Sequence, residues 1–159
     1  RFDPHGVLTR GMLVTILWRM EGKPVVNLAL QYADVAPEAY YTEAVRWATA
    51  EGIVNGFSST AFGPNDPITR EQLAAILFRL AAKKGWNVSS AGSTLPDFAD
   101  RDQISSWAGE AMSWAYTHGV VTGKGANRLD PAGTATRAEA AAMIVRFGQL
   151  AASGDSTKQ

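Results

Sequence analysis

The sequence predicts an all-α protein of tandem helix-loop-helix repeats, and three observations carry that reading. An internal duplication overlays without a gap, apolar residues recur at helical spacing in both halves of the repeated unit, and start and stop signals bracket each helix. Residues 47–80 align with 114–147 at a shift of 67, which brings Trp47 onto Trp114, Gly52 onto Gly119, Gly56 onto Gly123, Pro64 onto Pro131 and Thr69-Arg70 onto Thr136-Arg137. The chain's first residues fit the same register at a shift of 60, with Pro4 on Pro64 and Thr9-Arg10 on Thr69-Arg70. The chain therefore opens within a repeat. Residues 1–23 are the second half of a first copy, 32–82 a second copy, 97–150 a third and 151–159 a polar tail.

The leading helix of each full copy follows from Tyr41, Ala44, Val45 and Ala48, and in the third copy from Trp107, Ala111, Trp114 and Ala115. Each set lines one face. Gly52 and Gly119 are placed to end these helices in the left-handed conformation. The second helix begins at Thr9, Thr69 or Thr136. Thr69 with Gln72, and Thr136 with Glu139, spell a capping box, whereas the first copy has Met12 at the reciprocal position and predicts a weaker cap. Ile68 with Leu73, and Leu8 with Leu13, are spaced for a hydrophobic staple, and Leu73, Ile76, Leu77 and Leu80 form the core face. The stretches from Lys23-Pro24 to Gln31 and from Lys83 to Pro96 read as linkers. A unit of this kind cannot cover its own apolar face, so neighbouring copies must pack together.

Bulk properties narrow the function. The chain of 159 residues has 46% hydrophobic and 19% charged residues, a globular balance. Lys+Arg and Asp+Glu are 15 each, which argues against nucleic acid as a partner, since that binding rests on many cationic phosphate contacts. There is no cysteine, and no apolar run reaches the ~18 residues of a membrane span. Arg1 in place of Met, with no visible signal peptide, predicts a piece of a longer protein. His5 and His118 have no metal-ligand spacing. Asp97, Asp100 and Asp102 read as turn and helix-start residues. No phosphate loop or dinucleotide fingerprint appears, so the sequence predicts no catalysis and no cofactor.

One position points to binding. Arg10, Arg70 and Arg137 each follow the capping Thr, where a cation is opposed by the helix dipole. Free N–H groups and a guanidinium there would form an anion site. The alternative is that each arginine pairs with an aspartate such as Asp34 or Asp100 and pins the repeats. Trp47 and Trp114 suit sugar stacking or core packing. Trp18, Trp86 and Trp107 read as packing. Gly56 and Gly123 either admit a ligand or supply positive φ.

The order aromatic-x-Asp, Trp-Ala, Gly-Ile/Val-Val-x-Gly, Phe/Leu-x-Pro and Thr-Arg resembles the S-layer homology domain, and Thr136-Arg137-Ala138-Glu139 matches that family's TRAE tetrapeptide in full. The resemblance runs from Phe2 to about Phe147. It implies a pseudo-threefold helical bundle with grooves between copies. It also implies an extracellular module that anchors surface proteins to an anionic, pyruvylated secondary cell-wall polysaccharide of Gram-positive-type envelopes. On that basis Arg10, Arg70 and Arg137 become anion-binding candidates, and Trp47, Trp114, Gly56 and Gly123 become candidate groove walls. The incomplete first copy leaves self-association as a further partner reading. Lys124-Gly125-Ala126-Asn127 and Leu129, which replaces Phe62, set the third copy's loop apart.

Overall fold

The computed structural model describes residues 4–89 and 95–153. Among them it has five α-helices: α1 (Arg10–Met20), α2 (Thr42–Ala50), α3 (Arg70–Lys83), α4 (Gly109–Thr117) and α5 (Arg137–Ser153). Two 3₁₀ turns, Arg101–Gln103 and Ser106–Ala108, precede α4. β-Pairing among the described residues is confined to isolated bridges, so the protein is all-α. The chain divides into two compact units, Leu8–Ile68 and Arg1–Val7 with Thr69–Gln159.

Within Leu8–Ile68, α1 packs on α2. Leu13, Val14 and Leu17 of α1 meet Ala44, Val45 and Ala48 of α2 in a core completed by Ile53 and Phe62, all at 0% exposure. In the other unit α3 packs on α4 and α5. Leu73 and Leu77 share that core with Met112, Leu129 and Met143. Trp114 stands edge-on to Phe78 at 5.7 Å and to Phe147 at 6.4 Å. Both stapling pairs, Ile68 with Leu73 and Leu8 with Leu13, are buried.

The caps follow the sequence signals. Thr69 accepts from Gln72 N while Gln72 accepts from Thr69 N, and Thr136 and Glu139 repeat the exchange. Thr9 accepts from Met12 N, whose apolar side chain returns nothing to the Thr9 N–H. At the other ends, Gly22, Gly52, Gly85 and Gly119 all have positive φ. At Gly52 the next N–H, that of Ile53, reaches back to Ala48 O, and at Gly119 that of Val120 reaches Ala115 O. Gly52 N and Gly119 N bond Thr49 O and Tyr116 O, which closes the six-residue helix stop that a left-handed residue requires.

The linker tract at 90–94 and the tail at 154–159 lie outside the described residues. One expectation fails near α4. Trp107, read as a packing residue, is 55% exposed. Ser106–Ala108 form a 3₁₀ turn and the α-helix begins only at Gly109, so the helical phase that would bury Trp107 does not reach back to it.

Candidate functional site

The repeated Thr-Arg helix start is tied to a neighbouring turn by both its main chain and its side chain. Position by position, each start receives backbone carbonyls from a Pro-bearing turn. Arg10 N donates to Asp66 O and Gly11 N to Pro64 O, at 2.9 and 2.8 Å. Arg70 N and Glu71 N donate to Gly133 O and Pro131 O, both at 2.9 Å. Arg137 N and Ala138 N donate to Gly6 O and Pro4 O, at 2.8 and 3.1 Å. The first two helical N–H groups are thus satisfied by carbonyls, and the next one, in every copy, by the capping Thr. This corrects the expectation of free N–H groups at the helix start: an anion finds no open amide nest there.

The arginine side chains reach the same turns. Arg10 Nε donates to Phe62 O at 3.0 Å and Nη2 to Asn55 O at 2.6 Å. Arg70 Nε donates to Leu129 O and Nη2 to Thr122 O, both at 2.9 Å. The two arginines are 6% and 4% exposed. Burial holds both guanidinium groups below the ordinary arginine value, against the pull of nearby carboxylates, Asp66 for Arg10 and Glu139 for Arg70. Arg137 is also engaged by its surroundings, although its buried Nε has no hydrogen-bond partner among the described residues.

The aspartates act on the loop rather than on the arginines. Asp34 accepts from Phe62 N and Gly63 N, and Asp100 accepts from Leu129 N and Asp130 N, at 2.8–2.9 Å. Neither lies within ion-pair distance of the arginine it was expected to pair with, so the direct Arg–Asp bridge gives way to a shared peptide. Desolvation acts to raise both carboxyls, but the N–H donors prevail and hold them below the ordinary aspartate range.

The third nitrogen, Nη1, differs between copies. Arg70 Nη1 lies 3.5 Å from Glu139. Lys124 adds bonds to Asp130 at 2.9 Å and Glu139 at 3.3 Å, which raise its own pKa, and Arg128 joins Asp130. Arg10 instead lies against two rings, 4.6 Å from the Phe57 centroid and 4.7 Å from that of Phe62, and its Nη1 makes no hydrogen bond among the described residues. The contrast follows from sequence, because Phe57 and Lys124 are equivalent positions and Leu129 replaces Phe62.

The remaining candidates are interior. Trp47 and Trp114 are 4% and 1% exposed, so neither ring offers a face to solvent. Gly56 and Gly123 are absent from the positive-φ glycines, which corrects the conformational reading. They are small because neighbours crowd them. A Cβ on Gly56 would lie 2.6 Å from Tyr32 Cε1 and 2.7 Å from Ala61 O, and one on Gly123 would lie 3.0 Å from Phe98 Cε1.

With that geometry in place, comparison with known proteins is decisive. The S-layer homology domain model matches residues 31–74 and 97–141, together more than half of the chain. The chain belongs to the S-layer homology family. It is 34% identical to an amylopullulanase of Thermoanaerobacterium thermosulfurigenes over 98% of its length, which is 8% of that protein. It is 30% identical to the surface-layer 125 kDa protein of Lysinibacillus sphaericus over 91% of its length and 12% of that protein. It is 27% identical to the S-layer protein of Bacillus thuringiensis subsp. finitimus over 99% of its length and 19% of that protein. The chain thus spans a small fraction of these relatives. S-layer homology domains are non-catalytic modules of cell-surface proteins that bind cell-wall polymers, and the chain's place is extracellular, at the cell wall. No helix among the described residues is long and apolar enough to cross a membrane.

Proposed function

We propose that this module anchors a larger surface protein non-covalently by binding an anionic, pyruvylated secondary cell-wall polysaccharide. The family match over two copies carries the reading. A division of labour within Arg10 and within Arg70 supports it. Nε and Nη2 are spent on the loop, and Nη1 is the donor left for a carboxylate. Arg10 is the best placed, because Glu139 already engages Arg70 Nη1. Trp47, Trp114, Gly56 and Gly123 serve from within, by fixing the helices and loops that carry the groove.

The test is co-sedimentation with purified cell walls, before and after mild acid hydrolysis of the pyruvate ketals. Retention by intact walls and release from hydrolysed ones is the expected result. Equal retention by both, or by neither, overturns the reading. A second reading, a structural or protein-interaction repeat, draws support from the burial of Arg10 and Arg70. It expects Arg10→Lys and Arg70→Lys to lower stability and leave wall retention unchanged.

A further inference from the structure

A second polar surface lies in the unit containing the third copy, beside the first turn of α3, where Glu71 follows Arg70. An open cleft of about 360 Å³ is lined by Leu95, Arg101, Ile104, Ser105, Ser106, Gly109 and Ser113. Its volume falls at the lower end of the range for small-molecule sites, about 300–1,000 Å³, and suits one sugar ring. Trp107 stands in sequence between the lining residues Ser106 and Gly109 and keeps more than half of its surface in water.

Three observations separate this cleft from ordinary surface. First, Arg101 is exposed and its guanidinium has no hydrogen bond or ion pair among the described residues, although Asp97, Asp100 and Asp102 are its near neighbours in sequence. Second, the wall behind it is rigidly set. Glu71, only 6% exposed, accepts from Ser105 N at 2.9 Å and from Ser105 Oγ at 2.6 Å. The hydroxyls of Ser106 and Ser113, which also line the cleft, have no such partners among the described residues. Third, the exposed aromatic recurs. Tyr40 is the repeat equivalent of Trp107 and is 58% exposed, against 55%. Leaving a large ring in water in two copies runs against burial, and a flat ring with one polar handle suits the apolar face of a sugar.

We infer that the Arg101–Ser113 cleft with Trp107 binds an anionic monosaccharide unit of the wall glycan. Arg101 takes the negative group, the serine hydroxyls take ring hydroxyls, and Trp107 covers one face. The cleft is particular to the third copy. Asp100 is followed by Arg101, whereas the equivalent Asp34 is followed by Val35, so the second copy keeps the ring and lacks the cation. This site rests on the anchoring reading for its ligand class, but it can be read out separately.

The experiment is amide chemical-shift titration of the whole chain with methyl glucuronide, glucose 6-phosphate and methyl glucoside. Guanidinium accepts carboxylate and phosphate alike, so the first two probes show which anion is preferred. Saturable shifts centred on Ser106, Gly109 and Ser113 with at least one anion, and about tenfold weaker binding of methyl glucoside, are expected from a charge-assisted contact. Arg101→Gln and Trp107→Ala, both at exposed positions, should each weaken the anion about fivefold or more, without altering the melting temperature. Shifts elsewhere, no saturation, or unchanged affinity in both variants would overturn the site. Co-sedimentation with cell walls separates the two ideas. Full retention of Arg101→Gln together with unchanged glucuronide affinity sinks the cleft and leaves anchoring intact. A wild-type chain that ignores walls but saturates with glucuronide sinks anchoring and leaves the cleft.

Discussion

Arg70 and Asp100 hold one residue from its two ends. Arg70 Nε donates to Leu129 O at 2.9 Å, and Asp100 Oδ1 accepts from Leu129 N at 2.9 Å. Arg10 and Asp34 hold Phe62 in the same way, at 3.0 and 2.9 Å. The side chain of the held residue, Phe62 or Leu129, is then driven fully into the core at 0% exposure. A loop peptide is thereby fixed by a cation on its oxygen and an anion on its nitrogen, and the opposite charges need not touch. The device converts a turn without regular structure into a rigid rim.

Removal of Arg70 follows directly. Arg70→Ala loses two charge-assisted bonds and leaves Leu129 O and Thr122 O without their donor, so a loss of about 2–4 kcal/mol is expected in chemical denaturation. Arg70→Lys should recover less than half of it, because an ammonium cannot span two carbonyls as the planar fork does.

Gly56→Ala should cost more than Gly123→Ala. The added methyl meets Ala61 O and Ser58 O, at 2.7 and 2.8 Å, along with the Tyr32 ring, whereas at Gly123 its near neighbour is the Phe98 ring edge and the closest backbone atom is at 3.5 Å. Overpacking of this sort costs about 1–3 kcal/mol, and the difference in melting temperature between the two variants measures it. The reverse order would show that the rings, rather than the carbonyls, resist movement.

These contacts mark where the sequence was legible. The repeat, the Thr caps, the reciprocal Gln72 and Glu139, and the glycine stops at Gly52 and Gly119 all act within a few residues, so their chemistry is written in adjacent letters. The acceptors for Arg10 and Arg70 are main-chain oxygens 45–59 residues away, and a carbonyl leaves no mark in the residue type. Arg and Asp could therefore be paired by charge in the sequence, yet they meet through Phe62 and Leu129. Trp107 was hidden for a different reason. A 3₁₀ turn broke the 3.6-residue phase just before α4, and periodicity is informative only inside a continuous helix.

Acid should loosen the third copy's loop. The Asp100 carboxyl is held below its ordinary value in the folded chain, so its contribution is complete at pH above about 3.9, the unfolded aspartate value. It is lost as the pH falls through the lower folded value, when the proton removes an acceptor from Leu129 N and Asp130 N. Thermal melts between pH 7 and pH 2 should fall steeply at the acidic end. Asp100→Asn should be less stable at pH 7 and show a shallower acid slope. An unchanged slope would assign the effect to other carboxylates.

The turn after the held residue offers a sharper test of how the copies diverged. Gly63 and Asp130 are equivalent and both have positive φ, 75° and 55°. Three residues on stand Asp66 and Gly133, so the glycine and the aspartate have exchanged places. The exchange preserves the carboxylate's location. A Cβ on Gly63 would strike Asp66 Oδ2, and one on Gly133 would strike the Asp130 carboxylate. Either position can therefore supply the anion that flanks the loop, but one volume cannot hold both side chains. Gly133→Asp alone should destabilise by crowding two carboxylates together. Adding Asp130→Gly removes that crowding and relieves the left-handed backbone, worth about 0.4–1 kcal/mol where glycine replaces a residue at positive φ. The double variant should then be more stable than the sum of the singles by about 1 kcal/mol or more. A double-mutant cycle by urea denaturation measures the coupling, and simple additivity would show that the two side chains do not compete for the same space.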